Sequence, residues 1–525
     1  MNHITDFFRN RRAFYAVLLI GMLFRTFPFG FTYFPILDDH SAYGIFALHD
    51  FGRLWQDVVI HYNLFAFRPL AGLADAFIIS RFWNNMAWVL IAIMILQFLT
   101  IFLIDKICQK SNIYWSRMAS VFFAFFPSST EAAYWINASS RIVVSAFFAV
   151  LAGYALLQFL YQERGRRVWL VIMLICSLLA QGYYEQGVIF AFIVTSGLLI
   201  LHRDAIPNKW IFLWPFASLA LIGIHYFIFR NTGDLSGRAA LAPDSFSRAP
   251  QIAERIIRTF RAEQWPTIEN TLDWGLASLD TWMLIVIAAL AIIFALFIAF
   301  EQGPEGKVVR SLMVAAAVIV APLSLFFVLY DSWVWVRNFY YSLIGLGFVV
   351  TLIFKVSFDK GAFGERIRKA TGGVVCAIVV FMSISGFVLE VRTYETVGRY
   401  DAAIAARLGA HPAWQQAEPD DEVWLFGTRW LYGEARLINP RQASAIRMDW
   451  ALNGFLGAIT QQTQRPWVTP VMNGGAADFD ADAILFGLDA DLQVRLLNFD
   501  GRYLIFADDG RVFGEIVGGV FRIGN

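Results

Sequence analysis

Cysteine is scarce in this chain of 525 residues, and so are charged side chains. The three cysteines, Cys108, Cys176 and Cys376, lie far apart, so the sequence offers neither a disulfide framework nor the closely spaced ligands of a zinc cluster. Charged residues make up only 16% of the chain, against roughly 25% in soluble domains, and the net charge is +1. Nucleic-acid binding therefore has no support in the composition.

Hydrophobic residues, by contrast, make up 58% of the chain, and the mean hydropathy is +0.55. Apolar runs of roughly 20 residues recur, which is the length that crosses a hydrocarbon core of ~30 Å. The sequence predicts an all-α polytopic membrane bundle of about eleven spans. The first is too long and aromatic for a cleaved signal, and we expect it to be retained. The spans are predicted at 13–34, 87–104, 114–127, 142–161, 168–181, 187–201, 210–229, 281–300, 311–330, 338–355 and 370–389.

Lysine and arginine collect in alternate loops, which predicts the orientation of the bundle. Cytoplasmic loops carry an excess of these residues, so the basic loops are assigned to the cytoplasm. The N-terminus is then inside and the C-terminal region outside. The basic loops lie at 9–12, 105–110, 164–167, 203–209, 307–310 and 360–369.

The other loops carry the residues that chemistry would need. They include the first outer loop, 35–86, and a second long loop, 230–280. Because these loops share one side, the candidate groups collect at the extracytoplasmic surface, which is the strongest functional signal in the sequence. The carboxylates there are Asp38, Asp39, Glu131, Glu185 and Asp331, and the cations are Arg68, Arg141 and Arg337.

Three segments outside the spans have apolar residues at helical spacing. Two of them, 41–58 and 69–82, fit amphipathic helices that lie in the membrane interface. The third, 250–264, has Arg255, Arg258 and Arg261 near its polar side. Its arginines either extend toward lipid phosphates or guide an anionic lipid substrate, and the sequence leaves both open.

The composition changes after residue 390. Apolar segments at 423–426, 483–486 and 503–506 resemble short strands separated by turn residues. We therefore predict two domains: a transmembrane domain over 1–390 and a small soluble extracytoplasmic mixed α/β domain over 391–525.

Asp38 and Asp39 directly follow the first predicted span, in Phe34-Pro35-Ile36-Leu37-Asp38-Asp39. Two adjacent carboxylates can take a proton from an attacking hydroxyl or hold a metal ion. The alternative is a hydrated loop that carries two acids by chance.

This arrangement resembles the GT-C superfamily of glycosyltransferases, which includes the protein O-mannosyltransferases, the lipid A aminoarabinose transferase and the oligosaccharyltransferases. The resemblance rests on Asp38-Asp39 in the first outer loop, the interfacial helices after it, further carboxylates in outer loops and an outer C-terminal domain. It covers residues 10–390. The Trp-Trp-Asp signature of the oligosaccharyltransferases is not present in the sequence.

The resemblance implies an inverting glycosyltransferase in the membrane, with its active site on the periplasmic face of a bacterial inner membrane. Such an enzyme takes a sugar from a polyprenyl-phosphate donor and passes it to a glycan, lipid or protein acceptor. It also implies that Asp38 or Asp39 serves as general base or metal ligand. A divalent cation, Mg or Mn, held by Asp39 and Glu131 is a further expectation.

A departing phosphate needs positive charge, which arginine supplies through two parallel donors. Arg68, Arg141 and Arg337 are the candidates, each with a structural alternative. Arg68 can extend toward lipid, Arg141 can pair with Glu131, and Arg337 can pair with Asp331.

Three further residues are candidates for the donor sugar or phosphate. Tyr184 and Glu185 combine an aromatic ring with an acid, as sugar sites do, but a hairpin in the aromatic belt would look the same. His61 is the third candidate, and an interfacial structural role is its alternative.

Two other membrane functions compete with the transferase. A sugar-lipid transporter or flippase would place charges near the bilayer midplane, where these spans have few. A polymerase or ligase of surface glycans would also act at the outer face. A non-enzymatic assembly scaffold is the remaining alternative.

Overall fold

The structure is a computed structural model, and its described residues form two compact units. The helical unit comprises Met1–Gly30, Tyr62–Leu73 and Val89–Leu389, and the sheet unit comprises Phe31–His61, Ala74–Trp88 and Glu390–Asn525. The residues described are 2–56, 68–126, 130–229, 247–272, 276, 279–301, 306–327, 334, 336–358, 361–428, 444–462, 465–472, 474–480, 482–489, 491–499, 504–507 and 509–523.

Helices account for most of the chain, and those of eight residues or more are numbered here in chain order. They are α1 Asn2–Arg9, α2 Arg11–Thr26, α3 Pro69–Phe77, α4 Ala87–Lys110, α5 Arg117–Phe125, α6 Ile136–Tyr161, α7 Arg166–Tyr183, α8 Glu185–Leu201, α9 Trp214–Phe229, α10 Ala249–Asn270, α11 Thr281–Ala299, α12 Val308–Ser324, α13 Tyr340–Phe358, α14 Gly361–Ala410 and α15 Asp449–Thr460. Shorter helical turns include His40–Gly44, Phe51–Arg53, Ile79–Asn85, Thr130–Tyr134, Val336–Phe339 and Pro412–Gln416.

Seven helices among the described residues are long and apolar enough to cross a membrane. Two shorter apolar helices, Glu185–Leu201 and Lys209–His225, accompany them. The chain is therefore an integral membrane protein. The seven are Ala87–Lys110, Ile136–Tyr161, Arg166–Tyr183, Thr281–Ala299, Val308–Phe327, Val336–Ser357 and Gly364–Ala410.

Two predicted spans are shorter than the sequence suggested. The span predicted at 13–34 ends as helix α2 at Thr26, and the one predicted at 114–127 is the nine-residue helix α5. Proline explains both ends. Pro28 and Pro127 follow closely, and the residue before a proline is disfavoured in the helical conformation. At 1.5 Å per residue, α5 extends only ~13 Å.

The hairpin predicted at 181–186 is instead a break at one residue. Helix α7 continues to Tyr183, helix α8 begins at Glu185, and Tyr184 between them has extended backbone angles (φ −156°, ψ 140°). The two helices are therefore longer than the predicted spans 168–181 and 187–201. Tyr184 and Glu185 stand at the junction.

The interfacial helices of the first outer loop are shorter than predicted. The segment 41–58 is not one helix, because a turn interrupts it and Asp50 caps a new helical turn through the Arg53 N–H. In the segment 69–82, helix α3 stops at Phe77 and a 3₁₀ turn follows.

The amphipathic segment predicted at 250–264 is helix α10. Ile252 is buried against Leu323 and Phe326, and Ile256 and Phe260 pack beside it. Helical spacing predicts Ile257 on the same face as Ile252 and Ile256, but its side chain is exposed. The apolar face is therefore narrower than predicted.

The sheet unit contains seven strands in the order β2-β1-β3-β4-β5-β6-β7. Strand β1 pairs in parallel with β2 and β3, and all later pairs are antiparallel. The three predicted strands correspond to β1, β3 and β5. The strands are β1 Val423–Phe426, β2 Val468–Val471, β3 Ile484–Leu488, β4 Val494–Phe499, β5 Leu504–Ala507, β6 Val512–Val517 and β7 Val520–Ile523.

The core of the sheet unit lies on both faces of this sheet. Leu425 and Phe486 share one buried cluster with Ile404 and Leu408 of α14 and with Leu452 of α15. A second cluster, which includes Phe426 and Phe521, covers the other face. The sequence pattern predicted residues 35–86 as part of the transmembrane domain. In the structure, the segments 31–61 and 74–88 belong to the sheet unit.

Candidate functional site

The acidic pair of the first outer loop lies in the sheet unit, and its two carboxylates have different surroundings. Asp39 is fully buried. Its Oδ2 accepts hydrogen bonds from the Tyr33 hydroxyl and from the Ile36 backbone N–H, the latter at 3.0 Å. These donors fix the carboxylate against its own loop. Asp39 is therefore suited to holding the loop in shape.

Asp38 is only partly buried. Its Oδ1 accepts a hydrogen bond from Trp450 Nε1 at 2.9 Å, and its backbone carbonyl accepts one from the Ser41 hydroxyl at 3.2 Å. Leu37, directly before it, has a positive φ of 42°, which costs energy for a residue with a side chain. Asp38 is thus held in place at a strained turn and remains open to a second molecule.

Helix α15 packs against the loop that carries Asp38 and Asp39. Gly454 lies so close that a Cβ there would be 2.6 Å from the backbone N and Cα of Ser41. The His40 ring stacks on Phe455 with 4.0 Å between the ring centroids, and it meets the edge of Trp83 at 5.6 Å. Burial lowers the pKa of His40 to about 3, so this imidazole stays neutral. The acidic loop and the C-terminal region are one packed structure.

A second buried carboxylate in the sheet unit was not singled out from the sequence. Asp75 is buried, and its Oδ1 accepts a hydrogen bond from the Tyr43 hydroxyl at 3.1 Å. Tyr43 belongs to the helical turn that follows the acidic pair. The contact ties this turn to helix α3.

The helical unit contains a separate polar cluster, which begins with Arg68 and Glu185. Arg68 Nε lies 2.7 Å from Glu185 Oε2, and Arg68 Nη2 donates to Oε1 of the same carboxylate. The guanidinium also lies over the Tyr184 ring, 4.6 Å from its centroid. Pro69 begins helix α3 directly after Arg68 and fixes the backbone there. The break at Tyr184 places ring and carboxylate side by side.

A second cation–carboxylate pair in this unit joins Arg337 to Glu131. Arg337 Nη1 lies 2.6 Å from Glu131 Oε1, and the guanidinium lies over Trp135 at 5.0 Å. Glu131 is 2% exposed, and its Oε2 has no hydrogen-bond partner within the described part of the chain. A buried carboxylate oxygen without a donor is costly, which favours a role in binding.

Asn338 and Gln186 connect the two pairs. Asn338 Nδ2 donates to the Tyr184 hydroxyl at 2.8 Å and to Gln186 Oε1 at 3.2 Å. Gln186 Nε2 donates in turn to the carbonyls of Asn338 and Pro322. The network therefore fixes Tyr184 and Gln186, the chain neighbours of Glu185, and Asn338, the chain neighbour of Arg337. We call the set Arg68, Glu131, Tyr184, Glu185, Gln186, Arg337 and Asn338 the paired-charge cluster.

The structure thus brings together five of the residues that the sequence singled out. Asn338, Gln186 and Trp450 were missed, since no local pattern marks them. Glu131 pairs with Arg337, whereas the sequence pointed to Arg141 as the possible partner of Glu131 and to Asp331 as that of Arg337. Arg141 lies in helix α6, partly buried, and His61 and Asp331 fall outside the described residues.

Arg25 is a cation within helix α2 whose hydrogen bonds go to uncharged groups. It is fully buried, and its guanidinium donates to the Ala124 carbonyl and to Gln97 Oε1. It also lies 4.5 Å from the centroid of the Phe387 ring. Its Nε has no hydrogen-bond partner within the described part of the chain.

The residues named for a divalent cation do not fit one ligand set. No group of three or more histidine, cysteine or acidic side chains is positioned for a metal among the residues described. Asp39 Oδ2 already accepts two hydrogen bonds. We therefore route no step through a metal.

Comparisons with known proteins find matches among solved structures alone. No protein-family model and no curated protein matches the chain. Among solved structures, the chain is similar to the crystal structure of ArnT from Cupriavidus metallidurans in the apo state, with 14% identity and a TM-score of 0.35. The match covers 88% of this chain and 85% of that one. At this TM-score the similarity carries no argument about chemistry, which has to come from the residues themselves.

Two arrangements can therefore do chemical work. Asp38 offers a carboxylate that is accessible and held by an indole N–H, as a general base requires. In the paired-charge cluster, two arginines each hold a carboxylate that an anionic group could replace.

Proposed function

We propose that this protein is an inverting glycosyltransferase of the GT-C type that acts on a polyprenyl-phosphate-linked sugar at the periplasmic face of the membrane. The observation that carries the proposal is the setting of Asp38. It is the accessible member of an acidic pair whose other member, Asp39, is buried and hydrogen-bonded. Asp38 is then the carboxylate that reacts, and Asp39 is the one that stabilises the loop.

The membership of Asp38 in the sheet unit supports an aqueous location. The edges of an open sheet carry unpaired backbone N–H and C=O groups, which are excluded from the hydrocarbon region. The acidic loop packs against α15 of the same unit, so both lie on one side of the membrane. The loops rich in lysine and arginine are predicted to lie on the opposite, cytoplasmic side. These two arguments together support the periplasmic assignment.

The proposed reaction is a single displacement. Asp38 takes the proton from the acceptor hydroxyl, and the hydroxyl oxygen forms a bond to the anomeric carbon of the sugar. The bond between that carbon and the phosphate oxygen breaks on the opposite face, so the configuration inverts. Polyprenyl phosphate leaves with the bonding electrons. General-base assistance of this kind contributes about 10²- to 10⁴-fold.

Within the helical unit, the paired-charge cluster is the proposed binding site for a phosphate group. Arg68 and Arg337 have the planar double donors that match phosphate oxygens. Their present partners, Glu185 and Glu131, hold them in position before the donor arrives. Tyr184, which is buried with its ring against the Arg68 guanidinium, helps to position this cation.

The test is a turnover assay with the purified full-length protein and a radiolabelled polyprenyl-phosphate sugar. We expect Asp38→Asn to lower donor consumption by about 10²-fold or more. Asp50→Asn is the matched control, because Asp50 is an exposed acid of the same loop. Full turnover by Asp38→Asn would remove the proposed base. Movement of the sugar lipid between leaflets without donor consumption would contradict the transferase.

Sidedness is tested separately by cysteine labelling in spheroplasts. The three native cysteines are buried, so a new cysteine at an exposed position reports its own location. Asp50→Cys should react with a membrane-impermeant maleimide in sealed spheroplasts. Lys209→Cys, in an exposed part of a basic loop, should react only after permeabilisation. The opposite pattern would place the acidic loop in the cytoplasm and refute the proposal.

A further inference from the structure

A large apolar groove in the helical unit has no part in the proposed reaction. Its volume is about 550 Å³, within the range of about 300–1,000 Å³ that ligand sites occupy. Helices α4, α8, α12 and α13 line it with aliphatic and aromatic side chains, among them Ile107, Val194, Val318 and Phe348. We call this cavity the α8–α12 groove.

The groove opens to the outside of the helical unit along an apolar rim. Ile200, Val309 and Met313 line it and are 66%, 71% and 69% exposed. In a helix of a membrane protein, exposed aliphatic side chains of this kind contact lipid tails. A lipid tail that entered between these side chains would make van der Waals contacts with the wall of the groove. An empty apolar space lacks these contacts.

Two basic residues, Lys307 and Arg310, stand at one end of the groove. Lys307 is exposed, and Arg310 is held by a hydrogen bond of 2.6 Å from Nη1 to the Ser111 carbonyl. Lys355 lies nearby, because its Nζ donates to the Gly306 carbonyl. Apolar walls with a cationic end are complementary to a lipid that carries a negative headgroup.

This end is distinct from the paired-charge cluster. Lys307 directly precedes helix α12, and Pro322, whose carbonyl belongs to the network of the cluster, lies near the other end of that helix. Fifteen residues of helix separate them, which corresponds to ~22 Å. The cationic end of the groove is therefore not the proposed site of the donor phosphate.

We infer that the α8–α12 groove binds an anionic phospholipid of the cytoplasmic leaflet. One acyl chain lies between α8 and α12, and the phosphate lies against Lys307 and Arg310. The basic loops assign this end to the cytoplasmic side, where anionic lipids supply a negative surface. Each Lys or Arg near such a surface contributes about fivefold to binding.

Gly197 provides a sharp test of the tail site. It lines the groove, and a Cβ added there meets no atom within 4 Å, so a larger side chain can fill the groove without a clash. Gly197→Leu is the plugging variant. Gly223→Leu is the matched control, because Gly223 is also free of neighbours within 4 Å and does not line the groove.

The measurement is native mass spectrometry of the full-length protein released from nanodiscs that contain equal amounts of phosphatidylglycerol and phosphatidylcholine. We expect wild type and Gly223→Leu to retain one phosphatidylglycerol in preference to phosphatidylcholine. Gly197→Leu should lose that lipid. Retention of the lipid by Gly197→Leu at the wild-type level would overturn the inference.

The headgroup site is tested in the same experiment with Lys307→Gln and Arg310→Gln. We expect each variant to reduce the preference for phosphatidylglycerol about fivefold while a lipid remains bound. Lys209→Gln, an exposed lysine outside the groove, should keep the preference. An unchanged preference in both groove variants would refute the headgroup assignment. Donor turnover does not enter this readout, so its result is independent of the proposed function.

Discussion

Removal of the Glu185 carboxylate should strengthen donor binding, because Glu185 and the donor phosphate compete for the same guanidinium. In Glu185→Gln, Arg68 keeps its position over the Tyr184 ring, 4.6 Å from the centroid. It loses the carboxylate that occupies its two donors. The phosphate then binds a guanidinium that does not first have to release a carboxylate.

The size of the effect follows from the exposure of the pair. The side chains of Arg68 and Glu185 are 24% and 22% exposed, and the contact is bidentate. A fully exposed pair contributes about 0–1 kcal/mol, and a hydrogen bond to a charged group away from water about 1.5–3 kcal/mol. An intermediate value of about 1–2 kcal/mol corresponds to a factor of 5–30. The donor KM should fall by that factor.

Initial rates at varied donor concentration measure this change. Arg68→Gln should move the donor KM in the opposite direction, since it removes the cation itself. Glu365→Gln is the control, because it breaks a surface pair with Lys369 in helix α14. If Glu185→Gln and Arg68→Gln both raised the donor KM, the carboxylate would be a direct contact of the donor. The competition argument would then be refuted.

Two further predictions concern the sheet unit. Asp39→Ala should lower the free energy of unfolding by about 3 kcal/mol, because it removes the acceptor of the Tyr33 hydroxyl and of a backbone N–H. Asp38→Ala should change it by less than about 1 kcal/mol, and equal thermal stability of the two variants would contradict the division of roles. For Asp489, burial acts to raise the pKa, but hydrogen bonds from Arg495 and from backbone N–H groups outweigh it and hold the pKa below its ordinary value. The stabilisation that the Asp489 carboxylate contributes is therefore present at neutral pH and is lost as the pH falls through the lowered pKa. The thermal unfolding temperatures of wild type and Asp489→Asn should therefore converge in acid. A difference between them that grew in acid would refute this prediction.

Local patterns predicted the elements of the fold better than their ends. The strand at 423–426 was predicted with its observed bounds, since a short apolar run between turn residues leaves few alternatives. The segment 114–127 was apolar enough for a span, but Pro127 limits the helix to Arg117–Phe125. Hydropathy records the composition of a segment and not the point where its backbone stops being helical.

The candidate residues were predictable by type, and their partners were not. Acids and arginines in outer loops stood out as unusual near a membrane. Arg68 and Glu185 are 117 positions apart, and Glu131 and Arg337 are 206 apart. Such pairs depend on how helices pack, which no periodicity within one helix encodes. For the same reason, no pattern indicated that Trp450 donates a hydrogen bond to Asp38, 412 positions away.

The packing of the acidic loop on helix α15 has a consequence for the synthesis of the protein. About 400 residues separate the turn His40–Gly44 from α15, so a ribosome adding 5–20 residues per second needs roughly 20–80 s to supply the partner helix. Until then the loop of Asp38 and Asp39 lacks the helix that packs against it. On the proposed function, a nascent chain that already has its first membrane helices is inactive until helix α15 has been made.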